Sequence, residues 1–164
     1  MHTADAFIDH LVATGWTFEA PREPAVSSAL AAVTDAAIPA GHIGFLRRFG
    51  ALASGDDSRW FLSAFDYAGL SGSAFAWDEF RAIGLDAADT VADRVRVEAF
   101  WAECLPILVG VRGDYEFLAI SRTNGAVLHG TEPDFEDTTM IAPGLHELMD
   151  GVLRGNLLVP LLRA

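Results

Sequence analysis

Three places in this sequence carry side chains of the kind that enzymes use. Gly69-Leu70-Ser71-Gly72-Ser73 has the outline of a nucleophile elbow, in which a sharp turn lifts a serine hydroxyl above a sheet. Its last position is serine where the motif needs glycine, and no strong strand leads into it. The segment reads as a flexible loop. Cys104, paired with a distant histidine, is the outline of a thiol nucleophile. It closes an apolar helical stripe, however, and free cysteine is among the most buried residue types, so it reads as core. His129-Gly130-Thr131-Glu132-Pro133-Asp134-Phe135-Glu136-Asp137 sets one imidazole beside four carboxylates, donors suited to a divalent cation. Neither EF-hand nor HExxH spacing is present, and further ligands would have to converge from elsewhere. This stretch reads as a solvated acidic loop. His42 and His146 lie on or beside apolar helical faces and read as structural. With no Walker A sequence and no GxGxxG, nothing cradles a phosphate. No catalytic, metal-ligating or cofactor-binding residue is expected.

The same carboxylates read better as recognition chemistry. No lysine or arginine falls between Arg122 and Arg154, whereas Glu132, Asp134, Glu136, Asp137, Glu147 and Asp150 all do. Phe135 stands among them, where an aromatic either pins the loop to the core or anchors a partner as an interaction hot spot. The expected docking surface is therefore this loop together with the start of the last helix. The expected partner is a basic protein. The whole chain agrees: 11 basic against 23 acidic residues give a net charge of −12, and every basic residue is arginine. Such a balance disfavours non-specific binding to nucleic acid or to an anionic membrane face. Acidity also promotes solubility, which explains the charge equally well when charge is taken alone.

The elements that position these residues can be read from periodicity. Pro24 opens a helix whose Val26, Leu30, Val33 and Ala37 form one stripe, and Pro39 opens a second helix with His42, Phe45, Leu46 and Phe49 on one face. Gly50 is placed to end that helix as its C′ residue, before a loop at Ser54-Gly55-Asp56-Asp57. Trp60 to Phe65 reads as a strand and Phe75 to Ile83 as a short helix. Thr90-Val91-Ala92-Asp93 matches a capping box opening a helix with Val97, Phe100, Trp101 and Cys104 inward and Arg94 paired to Glu98 outside. Leu105 to Val111, Tyr115 to Ser121 and Ala126 to His129 are three strand-like runs. Gly113-Asp114 separates the first two, and Asn124-Gly125 joins the last two as a type I′ hairpin. Thr138 to Ala142 adds a fourth run. Pro143 then opens a final helix carrying Leu145, Leu148, Met149, Val152 and Leu153. Helices, a strand, helices, a meander and a closing helix mean an α+β fold with a mostly antiparallel sheet.

At 164 residues, 51% hydrophobic and 21% charged, the chain reads as one globular domain over residues 1–164. Residues 1–26 are expected to be a helical extension. The tail at 154–164 is apolar, and Leu157-Leu158-Val159-Pro160-Leu161-Leu162 is expected to pack on the domain or on a second copy. A single cysteine excludes an internal disulfide and suits a reducing compartment. The first residues lack a basic n-region, and no run reaches the roughly 18 apolar residues of a membrane span. The expected location is the cytoplasm, with no membrane and no nucleic acid among its partners.

Several of these segments also resemble a known family. Ile38-Pro39, the helix ending Phe45-Leu46-Arg47-Arg48-Phe49-Gly50, the meander Leu105-Pro106-Ile107-Leu108-Val109-Gly110 through Tyr115-Glu116-Phe117-Leu118, and the ending Ile141-Ala142-Pro143-Gly144-Leu145-His146-Glu147-Leu148 look like a SUKH (Knr/Smi-like) domain. The resemblance spans residues 27–153 and rests on apolar, proline and glycine positions. It implies helices flanking a mostly antiparallel sheet, and a protein-binding role. Many bacterial members of that family are immunity proteins that neutralise a toxin, often a nuclease, while fungal relatives regulate cell-wall synthesis. The expectation is a non-catalytic binding module of the immunity type, occluding a basic toxin domain. A housekeeping scaffold of the same fold, or a small metal-dependent hydrolase using the acidic loop, are the alternatives.

Overall fold

Cys104 to Gly110 is buried at every position, and a strand with no exposed side belongs inside a sheet covered on both faces. In the computed structural model, which describes residues 2–33 and 36–163, it is the central member of a seven-stranded antiparallel sheet that follows chain order. The strands are β1 (Trp16–Glu19), β2 (Ala51–Ser54), β3 (Arg59–Phe61), β4 (Cys104–Gly110), β5 (Glu116–Ser121), β6 (Val127–Thr131) and β7 (Thr139–Ala142). The helices are α1 (Thr3–Ala13), α2 (Ala25–Ala32), α3 (Ala40–Leu46), α4 (Ala64–Tyr67), α5 (Glu79–Ala87), α6 (Val91–Glu103) and α7 (Leu145–Leu153), with a 3-10 turn at Pro160–Leu162. The protein is a single α+β domain. Pro106 cannot donate to a strand ladder, and the β4–β5 register shifts between Pro106 and Leu108, the irregularity such a proline requires.

Cross-strand partners share a face of the sheet. On the first face Phe61, Leu108, Leu118, His129 and Thr139 line up across neighbouring strands. There Phe61 meets Phe7 of α1, Phe45 of α3 and Phe49 in edge-on contacts, and α7 packs on α1. On the second face Thr17, Ala53, Trp60, Val109, Phe117 and Gly130 line up. Phe117 is covered there by Phe80 of α5 and Trp101 of α6. A Cβ on Gly130 would stand 2.3 Å from the Phe117 ring, so only glycine admits that ring. The helices of the second face cover the β4–β6 half and leave the β1–β3 half bare.

The meander matches its sequence reading to within a residue or two, and the structure corrects its surroundings. The extension at 1–26 is not wholly helical, since β1 lies within it and pairs with β2. The helix at Pro24 ends at Ala32, so Val33 and Ala37 leave its stripe, and Ala37 takes φ +48°. Residues 34 and 35 within that expected helix lie outside the described residues, as do 1 and 164 at the ends of the expected domain. Gly50 does not end α3. It follows the Arg47 C-cap by three residues and donates its N–H to the Glu19 carbonyl, tying β2 to β1. The strand begun at Trp60 stops at Phe61, because Ser63 and Asp66 form a capping box that starts α4. Phe75 precedes α5 and does not belong to it.

Thr90 does cap α6, accepting from Asp93 N–H at 3.1 Å. Glu98, though, pairs with Arg81 of α5 and not with Arg94, whose guanidinium donates to the Leu85 carbonyl. Cys104 belongs to β4 and not to the helix. Pro143 stands two residues before α7, whose N-cap is Gly144. At the hairpin Gly125 has φ +78° while Asn124 does not turn left-handed. The connection therefore has one left-handed residue, not the two of a type I′ turn, and the Asn124 side chain closes it by accepting from Ala126 N–H at 2.9 Å. The apolar tail packs on its own domain except at Leu158, which is 71% exposed: Val159, Leu161 and Leu162 are buried, and the Trp16 indole donates to the Leu162 carbonyl at 3.2 Å.

Candidate functional site

The side chains of enzyme type are dispersed among a loop, the sheet and the helices. Ser71 lies in the loop after α4, with its hydroxyl accepting from Ser73 N–H. Cys104 is buried, and burial foremost, with the nearby Glu103 charge, pushes its thiol up to about 11, so it is a thiol and not a thiolate at neutral pH. His129 pairs with Glu116 at 3.0 Å on the first face of the sheet, away from the carboxylates that follow it. Among the described residues no three of His, Cys, Asp and Glu converge as metal ligands would. His42 is buried within α3, whereas His146 is exposed on α7, so only the first occupies a core position.

The acidic loop is divided by its own packing. Glu132 Oε1 accepts from Tyr115 N–H at 2.7 Å, while Glu132 N–H donates to the Tyr115 carbonyl at 2.9 Å, so this carboxylate closes the β5–β6 pairing. Phe135 is 3% exposed and packs edge-on against Phe80 and tilted against Phe117. It pins the loop to the core and is not presented to a partner. Asp134 and Asp137 remain exposed. Asp134 and Glu136 stand with Asp89 and Asp93, from the α5–α6 corner, around a cleft of about 240 Å³ whose one basic lining residue is Arg96. No pattern along the chain joins that corner to the loop. It is Phe135 that brings them together.

Glu147 and Asp150 do not join this surface. β7 carries the chain back along the sheet, about 13 Å at the usual rise per residue, before α7 starts, and α7 packs with α1 on the first face. Asp150 there pairs with Arg154 of its own helix at 2.9 Å. The expected surface is thus two separate acidic patches on opposite faces.

A second region went unseen in the sequence. On the bare half of the second face, the small side chains Ala51 and Ala53 form the floor of an open groove of about 860 Å³. Trp60, Phe75 and Tyr115 make one wall, with Phe75 edge-on to Trp60 at 5.7 Å and to Tyr115 at 6.0 Å. Phe65 and Leu70 also line it, and Leu70 is 64% exposed. No family model and no curated protein matches the chain. The charged residues lining the groove are Glu19, Asp57 and Asp66 against Arg22 alone. One sequence signal existed for it, the alternation of small and large residues in Ala51-Leu52-Ala53-Ser54.

Proposed function

We propose that this protein is a cytoplasmic binding module of the SUKH immunity type, which sequesters a basic protein, such as a nuclease toxin domain, by covering its active surface. One observation carries the reading: Asp134 and Glu136 of the loop gather with Asp89 and Asp93 of the α5–α6 corner, Asp89 and Asp134 exposed and the other two half-buried, on a chain of net charge −12. A protein that binds nucleic acid needs a basic surface, and an acidic surface is drawn to it by the same field. The fold supports the reading as well, since helices flanking an antiparallel meander are what the family resemblance implies. In this role the module performs no chemistry and needs no cofactor. Among the described residues no helix is long and apolar enough to cross a membrane.

The test is affinity capture from the source cell, followed by co-expression of the captured protein with this chain. Rescue of growth from a toxic, basic partner is the expected result. A captured partner that is acidic, or that is toxic with and without this chain, overturns the proposal.

A further inference from the structure

The bare half of the second face holds an open groove of about 860 Å³, and it lies beside the acidic loop, because Tyr115 is both its wall and the hydrogen-bond partner of Glu132. Three properties define what fits it. It is open to solvent, and Leu70, which lines it from the loop after α4, is 64% exposed, so it admits a chain and does not enclose a small molecule. Its wall is a row of half-buried aromatic rings, and the faces of Trp and Tyr attract a cation that has shed part of its water. Its rim holds three carboxylates against one guanidinium. Asp66 spends only Oδ2 on the Ser63 cap, with both the N–H and the hydroxyl of Ser63 donating to it at 2.7 Å. Glu19 and Asp57 are exposed.

We infer that the groove receives an extended segment of the protein partner in which arginine or lysine side chains alternate with apolar ones. The apolar side chains lie on Ala51 and Ala53. The cations cross the faces of Trp60 and Tyr115 and end on the rim carboxylates. This rests on the reading that the partner is a basic protein. It adds where that partner is gripped: the acidic loop attracts, and the groove beside it holds.

The probe is a fluorescein-labelled peptide alternating arginine with leucine, with its glutamate–leucine counterpart as control, titrated against the full chain by anisotropy and by amide NMR. The arginine peptide should bind and shift the resonances of Ala51, Ala53, Tyr115 and the Trp60 indole, while the glutamate peptide should not. Glu19→Gln with Asp57→Asn should weaken binding about tenfold, equivalent to about 1.4 kcal/mol. Leu70→Arg, at an exposed lip position that leaves the core untouched, should weaken it as well. Equal binding of both peptides overturns the cation requirement. Shifts confined to Asp134 and Asp137, or groove shifts that vanish on dilution of the chain alone, as for a second copy, overturn the site. A captured basic partner that Leu70→Arg leaves bound, but Asp134→Asn with Asp137→Asn releases, overturns the groove and leaves the binding-module reading standing. An arginine peptide seated in the groove when no toxic partner exists does the reverse.

Discussion

The two halves of the second sheet face are built from similar side chains and differ in what lies above them. Over β4–β6, Phe117 is closed in by Phe80, Trp101 and Phe135 and is fully buried. Where β3 borders the covered half, Trp60 and Tyr115, the residue before β5, hold Phe75 between them and remain half-buried beside an open groove. Aromatic residues on a sheet do not by themselves distinguish core from binding surface. A helix pair covers one half because α5 and α6 are long enough to reach across it. The loop after α4 carries no such helix and leaves the other half open.

The contrast sets the largest expected effect. Phe117→Ala removes a ring with no exposed surface and should cost about 3–5 kcal/mol in denaturant unfolding. Trp60→Ala, on the same face and one strand beyond its neighbour Val109, should cost only about 1–2 kcal/mol, because the ring is half-buried and part of it already meets water. Equal costs would mean that the groove is a collapsed part of the core and not an open surface.

One side chain ties the end of the cover to the sheet. Arg122 reaches from the β5–β6 connection to the C-terminal end of α6, donating to the carbonyls of Trp101, Ala102 and Cys104 and, from its other nitrogens, to Ala36. The Trp101 and Ala102 carbonyls belong to the last turn of α6, where the end of a helix leaves such groups without partners. Arg122→Ala should cost about 3 kcal/mol and should raise binding of a hydrophobic dye as α6 loosens from the sheet. Lysine should not restore it, because one ammonium cannot reproduce the fork of donors. If Arg122→Ala leaves stability and dye binding unchanged, the covered half is held by its aromatic packing alone.

Much of this architecture was legible in the sequence, and the missing parts share a physical cause. β4 to β7 announce themselves by continuous apolar runs with turn residues between them, a signal that survives without knowledge of the fold. β1 and β2 do not. Trp16–Glu19 buries only its first residue, and Ala51–Ser54 contains two alanines, a residue with a helical preference. Their strand state comes from pairing across more than thirty residues of chain, as in Trp16 with Ser54. The carboxylates of the acidic loop were visible by composition. The direction of Phe135 was not, because it depends on Phe80 and Phe117, which are remote in sequence. The groove was the least legible feature, being defined by what fails to cover it.

Acid should act next, through the wall that α4 gives the groove. Tyr67 of α4 donates its hydroxyl to the Pro106 carbonyl at 2.6 Å, so at its 3.3 Å contact with His42 it must accept from Nε2–H. His42 Nδ1 is then a buried nitrogen without a hydrogen-bond partner among the described residues. Burial lowers the His42 pKa from 6.5 to about 3. The unfolded chain therefore binds a proton below pH 6.5 that the folded chain refuses until about pH 3. Stability contributed by the neutral ring is fully present above pH 6.5 and falls as pH drops through that window, by at most about 1.4 kcal/mol per pH unit. Unfolding free energies measured between pH 7 and 4.5, above the range where most carboxylates titrate, should show this slope, and His42→Phe should flatten it. A slope that persists in the variant would assign the acid sensitivity to other groups.

The smallest effect on the fold should come from the charges that face outward. Asp134→Asn with Asp137→Asn changes two exposed side chains, and stability should stay within about 0.5 kcal/mol of the parent. Glu132 makes the informative contrast, because its carboxylate accepts from Tyr115 N–H, and Glu132→Ala should cost about 1 kcal/mol as that bond is lost. Binding should reverse the ranking. A basic partner approaching the loop feels the two aspartates before contact, and their field is screened over about 10 Å at 0.1 M salt. The double variant should therefore associate more slowly at low salt and converge on the parent as salt rises, with its dissociation rate little changed. Stopped-flow association across a salt series reads this directly. The same salt dependence in parent and variant would place the attracting charge at the rim of the groove, on Glu19, Asp57 and Asp66, and not at the loop.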